Sequence, residues 1–149
     1  MKPKIYLDTS VFSAYYDERL PERMRQTHSF WRVLPDYELY CSELTIAELA
    51  ETKDLELRGK FLKLTEDFQK LLYSDEIRLL AEEYIKTEAI PRAYIEDALH
   101  ISLAVVNDLD ILISWNFEHI VKRKTKILVN SVNLLKDYRS IEILSPPEL

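Results

Sequence analysis

The chain has 149 residues, 47% of them hydrophobic, with nine Tyr, five Phe and two Trp. That is enough to bury one ordinary globular core, and it excludes a disordered chain. The 26 acidic and 20 basic residues leave a net charge of −6, which excludes a surface that holds nucleic acid everywhere but not a local basic patch.

One cysteine, Cys41, rules out an internal disulfide and any multi-cysteine zinc site. One glycine, Gly59, rules out a phosphate-cradling P-loop and a dinucleotide-binding fingerprint. Neither HExxH nor G-x-S-x-G occurs. No targeting h-region opens the chain and no apolar run is long enough to span a bilayer, so a soluble, cytoplasmic protein is expected. No linker, repeat or low-complexity tract interrupts it, and residues 1–149 read as one domain.

In chain order, "KIYLD" (4–8) predicts a buried strand, being apolar and short. "TSVFSAYYDE" then opens a short helix with Thr9 or Ser10 as its N-cap. "PERMRQTHSFWRVL" (21–34) predicts a helix with Met24, His28, Trp31 and Leu34 roughly in register. "YELYCS" (37–42) is a second strand. "TIAELAE", "LRGKFLKLTEDFQKLL" and "SDEIRLLAEEYIKTEAI" form a helical block that Pro91 ends. "RAYIEDALHISLAVVND" (92–108) is a helix apolar on most sides and therefore central. "DILISWN" (110–116) is a third strand, "KRKTK" (122–126) a solvated loop, "SVNLLKDYR" (131–139) a helix and "IEIL" (141–144) a fourth strand. Strands separated by helical stretches, with no hairpin signal, predict a mostly parallel sheet between helices: a three-layer α/β/α sandwich.

Ligands of such sheets sit outside the carboxyl ends of the strands. Four polar residues from separate segments are expected at that edge. Asp8 ends the first strand, and Glu48 lies in the first turn of the helix after the second. Asp97 is early in the helix leading to the third strand, and Asn116 closes that strand. Each has an ordinary alternative. Asp8 suits a helix cap, Thr45-x-x-Glu48 matches a capping box, and Asn116 suits a cap for "FEHI". Asp97 falls in line with Ile101 and Ala104 on an inward stripe, where a carboxylate needs a partner, a metal among the candidates. His100 reads as an ordinary hydrogen-bonded histidine. Asp108 and Asp110 read as turn residues at the opposite rim, and Arg19, Arg23, Arg25 and Arg32 as solvated faces.

"IYLDTSVFSAYYD", "SELTIAELAE", "IEDALHISLAVVNDLDILISWNFEHI" and "VNLLKDYRSIEILSPPE" together resemble the PIN-domain nucleases, in particular the VapC-type toxins of prokaryotic toxin–antitoxin pairs. The resemblance covers nearly the whole chain. It implies a PIN-like sheet of four or five strands and Mg²⁺- or Mn²⁺-dependent cleavage of RNA. It also implies a homodimer and a cognate antitoxin as partners. The family's first three acids match Asp8, Glu48 and Asp97, and its often acidic fourth position is Asn116 here. All four are candidate catalytic and metal-binding residues. Asp8 and Asp97 would be direct ligands and Glu48 a ligand or water orienter. Asn116 would be a neutral ligand or an outer hydrogen-bond partner. Clustered carboxylates repel one another until a hard cation neutralises them, and oxygen donors suit Mg²⁺ or Mn²⁺. Two rival readings stay open. One is a PIN-like module that binds RNA or protein and cleaves weakly; the other is a phosphotransferase using Asp8, which Ser10 disfavours because Asp-x-Asp needs an acid there.

Overall fold

Ile5, Tyr6 and Leu7 are all fully buried, and the run they form is the central strand of a five-stranded sheet. The computed structural model describes residues 1–149. The strands are β1 (Lys4–Leu7), β2 (Glu38–Ser42), β3 (Gln69–Leu71), β4 (Ile111–Ile113) and β5 (Glu142–Leu144). All pairings are parallel and the order is β3-β2-β1-β4-β5. From β1 the chain builds outward through β2 and β3, then crosses back to β4 and β5. The switch of direction falls between β1 and β4, where a parallel sheet opens a crevice at its carboxyl edge.

Successive side chains of a strand point to opposite faces, and this alternation divides the core in two. Ile5, Leu7, Ile111 and Ile113 pack with Phe12, Phe30, Phe61 and Phe68 beneath α1 (Thr9–Ala14), α2 (Pro21–Trp31) and α4 (Leu55–Leu64). Tyr6, Leu112 and Ile143 point the other way, into α5 (Asp75–Lys86), α6 (Ile95–Val106) and α7 (Arg123–Leu135). Both faces are covered, as the three-layer expectation requires. α6 buries Ala98, His100, Ile101, Ser102, Leu103, Ala104 and Val105, so it is the central helix that its apolar composition predicted.

Four local expectations are corrected. Gln69–Leu71, read as part of a helical block, is the edge strand β3, because pairing with Tyr40, Cys41 and Ser42 outweighs helical propensity over three residues. The third strand stops at Ile113; Ser114 still donates its N–H to the Leu144 carbonyl, and Trp115 and Asn116 leave the sheet. "KRKTK" is no loop: α7 begins at Arg123, well before Ser131. The inward residues of α2 are Thr27 and Phe30, with Met24, His28 and Trp31 half-buried beside them.

α5, α6 and α7 end alike. Each closes with a bond from the sixth residue's N–H back to the first carbonyl: Ala89 to Tyr84, Leu109 to Ala104 and Tyr138 to Asn133. That turn requires a left-handed residue, usually glycine. Here Glu88, Asp108 and Asp137 occupy it, at φ of 64°, 57° and 64°. They accept both the left-handed strain and a negative charge at the negative end of a helix dipole. The chain's one glycine, Gly59, instead sits inside α4, where an added Cβ would meet nothing within 4 Å. Asp137→Gly and Gly59→Ala are therefore each expected to stabilise the protein, by about 0.5–1 kcal/mol. Urea unfolding midpoints of the two variants check this, both moving upward.

Candidate functional site

The site begins where β1 ends. The Asp8 N–H donates to the Ile113 carbonyl at 3.2 Å, extending the β1–β4 ladder to the lip of the crevice. The carboxylate is 4% exposed. Its Oδ1 accepts from the Ser10 N–H at 3.1 Å and from Ser10 Oγ at 2.5 Å, and its Oδ2 accepts from Ser114 Oγ at 2.5 Å. Asp8, not Thr9 or Ser10, is thus the N-cap of α1. The two hydroxyls also accept from the loop beyond β4: Ser10 Oγ from the Trp115 N–H and Ser114 Oγ from the Asn116 N–H, both at 2.9 Å. Burial pushes the Asp8 pKa up, the His100 charge and the two hydroxyls pull it down, and the net shift is upward.

Glu48 comes from α3 (Glu43–Ala50), in its second turn and not its first. Ser42 is the N-cap and Thr45 completes the capping box, so Glu48 has no capping role. Its Oε1 accepts from Thr9 Oγ1 at 2.5 Å and lies 2.6 Å from His100 Nε2. His100 Nδ1 is 2.6 Å from the Tyr6 hydroxyl, which also reaches Ser42 Oγ at 2.8 Å. A carboxylate only accepts, so Nε2 carries a proton. A continuous hydrogen-bonded chain thus runs from the buried middle of β1 through His100 to the half-buried Glu48. Burial opposes the charged imidazole, but its bond to Glu48 and the charges of Glu48, Asp8 and Asp97 raise the His100 pKa. For Glu48, burial is likewise outweighed, by His100 and Thr9, and the pKa falls.

Asp97 lies in the first turn of α6, whose N-terminus reaches this edge. Its Oδ2 accepts from Asn116 Nδ2 at 3.2 Å, and burial followed by the Asp8 charge raises its pKa. Asn116 spends its oxygen on the His119 N–H at 2.9 Å. It therefore caps the "FEHI" turn and steadies Asp97 with the same amide.

Asp8, Glu48, Asp97 and Asn116 all stand on one rim, near enough that Asp8 feels the charge of Glu48 and Asp97 that of Asp8. Thr9 and His100 bond Glu48, Ser114 bonds Asp8 and Asn116 bonds Asp97, and no three acidic, His or Cys side chains close around a common point. As donors they are hard oxygens, each carboxylate keeping lone pairs beyond those its partners occupy, and this suits Mg²⁺ or Mn²⁺. Asp108 and Asp110 sit at the opposite rim, as expected. Asp110 holds the Lys4 N–H and Arg139. The sequence reading treated His100 as ordinary and passed over Ser114. Two signals pointed to them. Asp97 and His100 share a helix face at i, i+3, and Ser114 stands two residues before Asn116 on an exiting strand.

The PIN domain family model matches residues 5–119. The chain belongs to the PIN-domain family. No curated protein matches the sequence. Among solved structures the chain is similar to one of VapBC2 from Rickettsia felis bound to a DNA fragment from its promoter, at 13% identity and a TM-score of 0.59, covering 95% of this chain and 98% of that one. It is also similar to VapBC-5 from Mycobacterium tuberculosis, a member of the VapBC family of toxin–antitoxin systems, at 24% identity and a TM-score of 0.54, covering 96% and 99%. At such identities these two likenesses concern the fold. The candidate residues Asp8, Glu48, Asp97 and Asn116 all fall inside the matched segment.

Two predictions follow from the charges. His100 has a raised folded pKa, so its contribution to stability is complete below the unfolded value of about 6.5 and is lost as pH rises through the folded value. In metal-free denaturant titrations the advantage of wild type over His100→Gln should be larger at about pH 6 than at about pH 9. Asn116→Asp removes the donor to Asp97 and sets a second charge beside it. The variant should melt lower than wild type without metal, and added Mn²⁺ should recover more of its stability than it adds to wild type.

Proposed function

We propose that this PIN-family protein is a divalent-metal-dependent endoribonuclease, the VapC-type toxin of a type II toxin–antitoxin pair, with residues 1–149 forming one domain. The observation that carries the reading is the delivery of Asp8, Glu48 and Asp97, from three separate segments, to the sheet's switch-point crevice. Mg²⁺ or Mn²⁺ held there would make a bound water more acidic and offset charge developing on a phosphodiester.

The chain's own residues do the positioning. Ser10 and Ser114 fix both oxygens of Asp8 and tie the strand end to the β4 loop. His100 and Thr9 hold Glu48, as a ligand or as the group orienting the attacking water. Asn116 presents Asp97. In-line attack of that water on the scissile phosphorus would leave a 5′-phosphate on one product and a 3′-hydroxyl on the other.

The substrate and partners have their own supports. Lys122, Arg123, Lys124 and Lys126 cluster at the start of α7, which by topology lies on the same edge as the acids. Cations oppose the dipole at a helix N-terminus, and a phosphate backbone would relieve them. Ile127, Leu134 and Leu135 lie at i, i+7 and i+8 of α7, and the two leucines are 78% and 80% exposed. That apolar face suits a homodimer. An antitoxin tail carrying Arg or Lys would pair with the acidic rim. No helix of the protein is long and apolar enough to cross a membrane, in keeping with a cytoplasmic toxin.

A second reading, a PIN-fold module that binds but cleaves weakly, draws on Asn116, which brings no charge and has both amide atoms engaged. One experiment separates the two. Purified protein incubated with structured RNA should cleave it in Mn²⁺ or Mg²⁺ and not in EDTA, and Asp97→Asn should lower the rate at least about 100-fold. Metal and RNA binding without turnover by the wild type would favour the second reading. Equal cleavage by Asp97→Asn would trace the activity to a contaminant.

A further inference from the structure

We propose that Arg23 and Phe117 form a nucleotide-binding subsite beside the acidic rim, an unpaired base stacking on the Phe117 ring and a backbone phosphate meeting the Arg23 guanidinium. The inference rests on the RNA reading and extends it to how a single strand is held.

Phe117 follows Asn116 directly, so the loop that presents the amide to Asp97 also carries this ring. The ring is 48% exposed and belongs to neither core. Beneath it the floor is fixed. Trp115 is buried, its indole Nε1–H donating to Thr27 Oγ1 at 2.9 Å, and its ring meets Phe117 edge-on at 6.1 Å. The start of α2 lays the Arg23 guanidinium across both rings, 4.9 Å from the Trp115 centroid and 5.9 Å from that of Phe117.

Arg23 differs from its neighbours. Arg19 is paired with Asp17 and Arg25 with Glu22. Arg23 stands in no ion pair and its guanidinium donates no hydrogen bond within the chain, although the residue is half-buried. A guanidinium has five N–H donors in a fork that fits phosphate, and here only the aromatic contact and the charge of Asp17, which is itself bonded to Arg19, offset its partial desolvation. The two rings, Arg23, Leu20 and Pro21 border an open depression of about 510 Å³, within the usual range for a small-molecule site.

One unspent cation next to one open aromatic face matches the repeat of a single-stranded nucleic acid, which offers one phosphate and one π-face per nucleotide. A purely apolar ligand would leave Arg23 without an anion. An acidic peptide would leave the Phe117 face without a ring to stack on it.

The test separates binding from cleavage. Fluorescence anisotropy with labelled oligoadenylate and oligouridylate, without divalent ions, reads the subsite whether or not the protein cuts RNA. Wild type should bind oligoadenylate more tightly than oligouridylate, because purines stack better. Phe117→Leu keeps the apolar bulk but loses the π-face. It should weaken oligoadenylate binding between about 5- and 100-fold and erase the purine preference. Phe117→Tyr should restore both. Arg23→Gln should weaken both ligands and lower the salt slope by about one. Melting curves check that the variants fold. Unchanged affinities in Phe117→Leu and Arg23→Gln would overturn the subsite. So would wild type that binds neither oligonucleotide, or variants that bind RNA normally yet lose a co-expressed antitoxin chain, since the face would then belong to protein. Failure to cleave RNA, with these binding differences intact, would count against the nuclease reading and leave the subsite supported.

Discussion

A carboxylate buried at the carboxyl end of the central strand sets the terms for everything around it. Asp8 is almost entirely removed from water, and an isolated charge there would be prohibitive. It is tolerated because its two oxygens receive three donors, two from Ser10 and one from Ser114. Those donors stand just beyond the ends of β1 and β4, the two strands that flank the crevice. The same hydroxyls accept the N–H groups of Trp115 and Asn116, so satisfying Asp8 also determines how the chain leaves β4. The loop carrying Asn116 and Phe117 is therefore an extension of the solution to one electrostatic problem.

The second constraint is the hydroxyl of Tyr6. Parallel strands buried on both faces are normally apolar throughout, and Tyr6 puts a polar group beneath α6. His100 and Ser42 satisfy it, and His100 then has one ring nitrogen left, which it turns to Glu48. Sheet, central helix and the helix after β2 are thus joined through side chains that all end at the rim. Burial opposes both shifts, and the raised pKa of His100 and the lowered pKa of Glu48 owe most to their mutual contact, with Asp8 and Asp97 adding to the first and Thr9 to the second. Asp8 and Asp97 shift the opposite way from Glu48, because burial outweighs their partners. The rim consequently holds two carboxyls whose pKa is raised and one whose pKa is lowered, an uneven set that a divalent cation would level.

Much of this was legible in the sequence, for definite reasons. Runs such as "KIYL" and "ILI" are too short and too apolar for anything but buried strands, and their separation by helices implies parallel pairing. The carboxyl-edge rule then brings Asp8, Asp97 and Asn116 to one place. Glu48 followed as well, although its capping-box reading gave way once Ser42 proved to be the cap and moved the helix start forward. β3 was hidden because a three-residue edge strand leaves no period to detect; only its pairing with β2 defines it. The start of α7 was hidden because "KRKTK" carries its charges at the wrong end for the helix dipole. His100 is the hydrogen-bonded histidine it was read as, but which groups it bonds was hidden: its partners, Tyr6 and Glu48, are 94 and 52 residues away, and no local pattern encodes such a meeting. The left-handed acids Glu88, Asp108 and Asp137 were equally invisible, because glycine is the usual marker of that turn and the chain has only one.

The central claim is that Asp8, Glu48 and Asp97 together constitute a divalent-metal site although each is already engaged in hydrogen bonds of its own. Isothermal titration of Mn²⁺ into the RNA-free protein addresses it most directly, with an Asp8→Asn/Asp97→Asn double variant, shown to be folded by circular dichroism, as the comparison. The account predicts one tight site in wild type, since three carboxylates compensate one divalent ion well and a second poorly, and no such site in the double variant. Identical Mn²⁺ binding by the two proteins would contradict it.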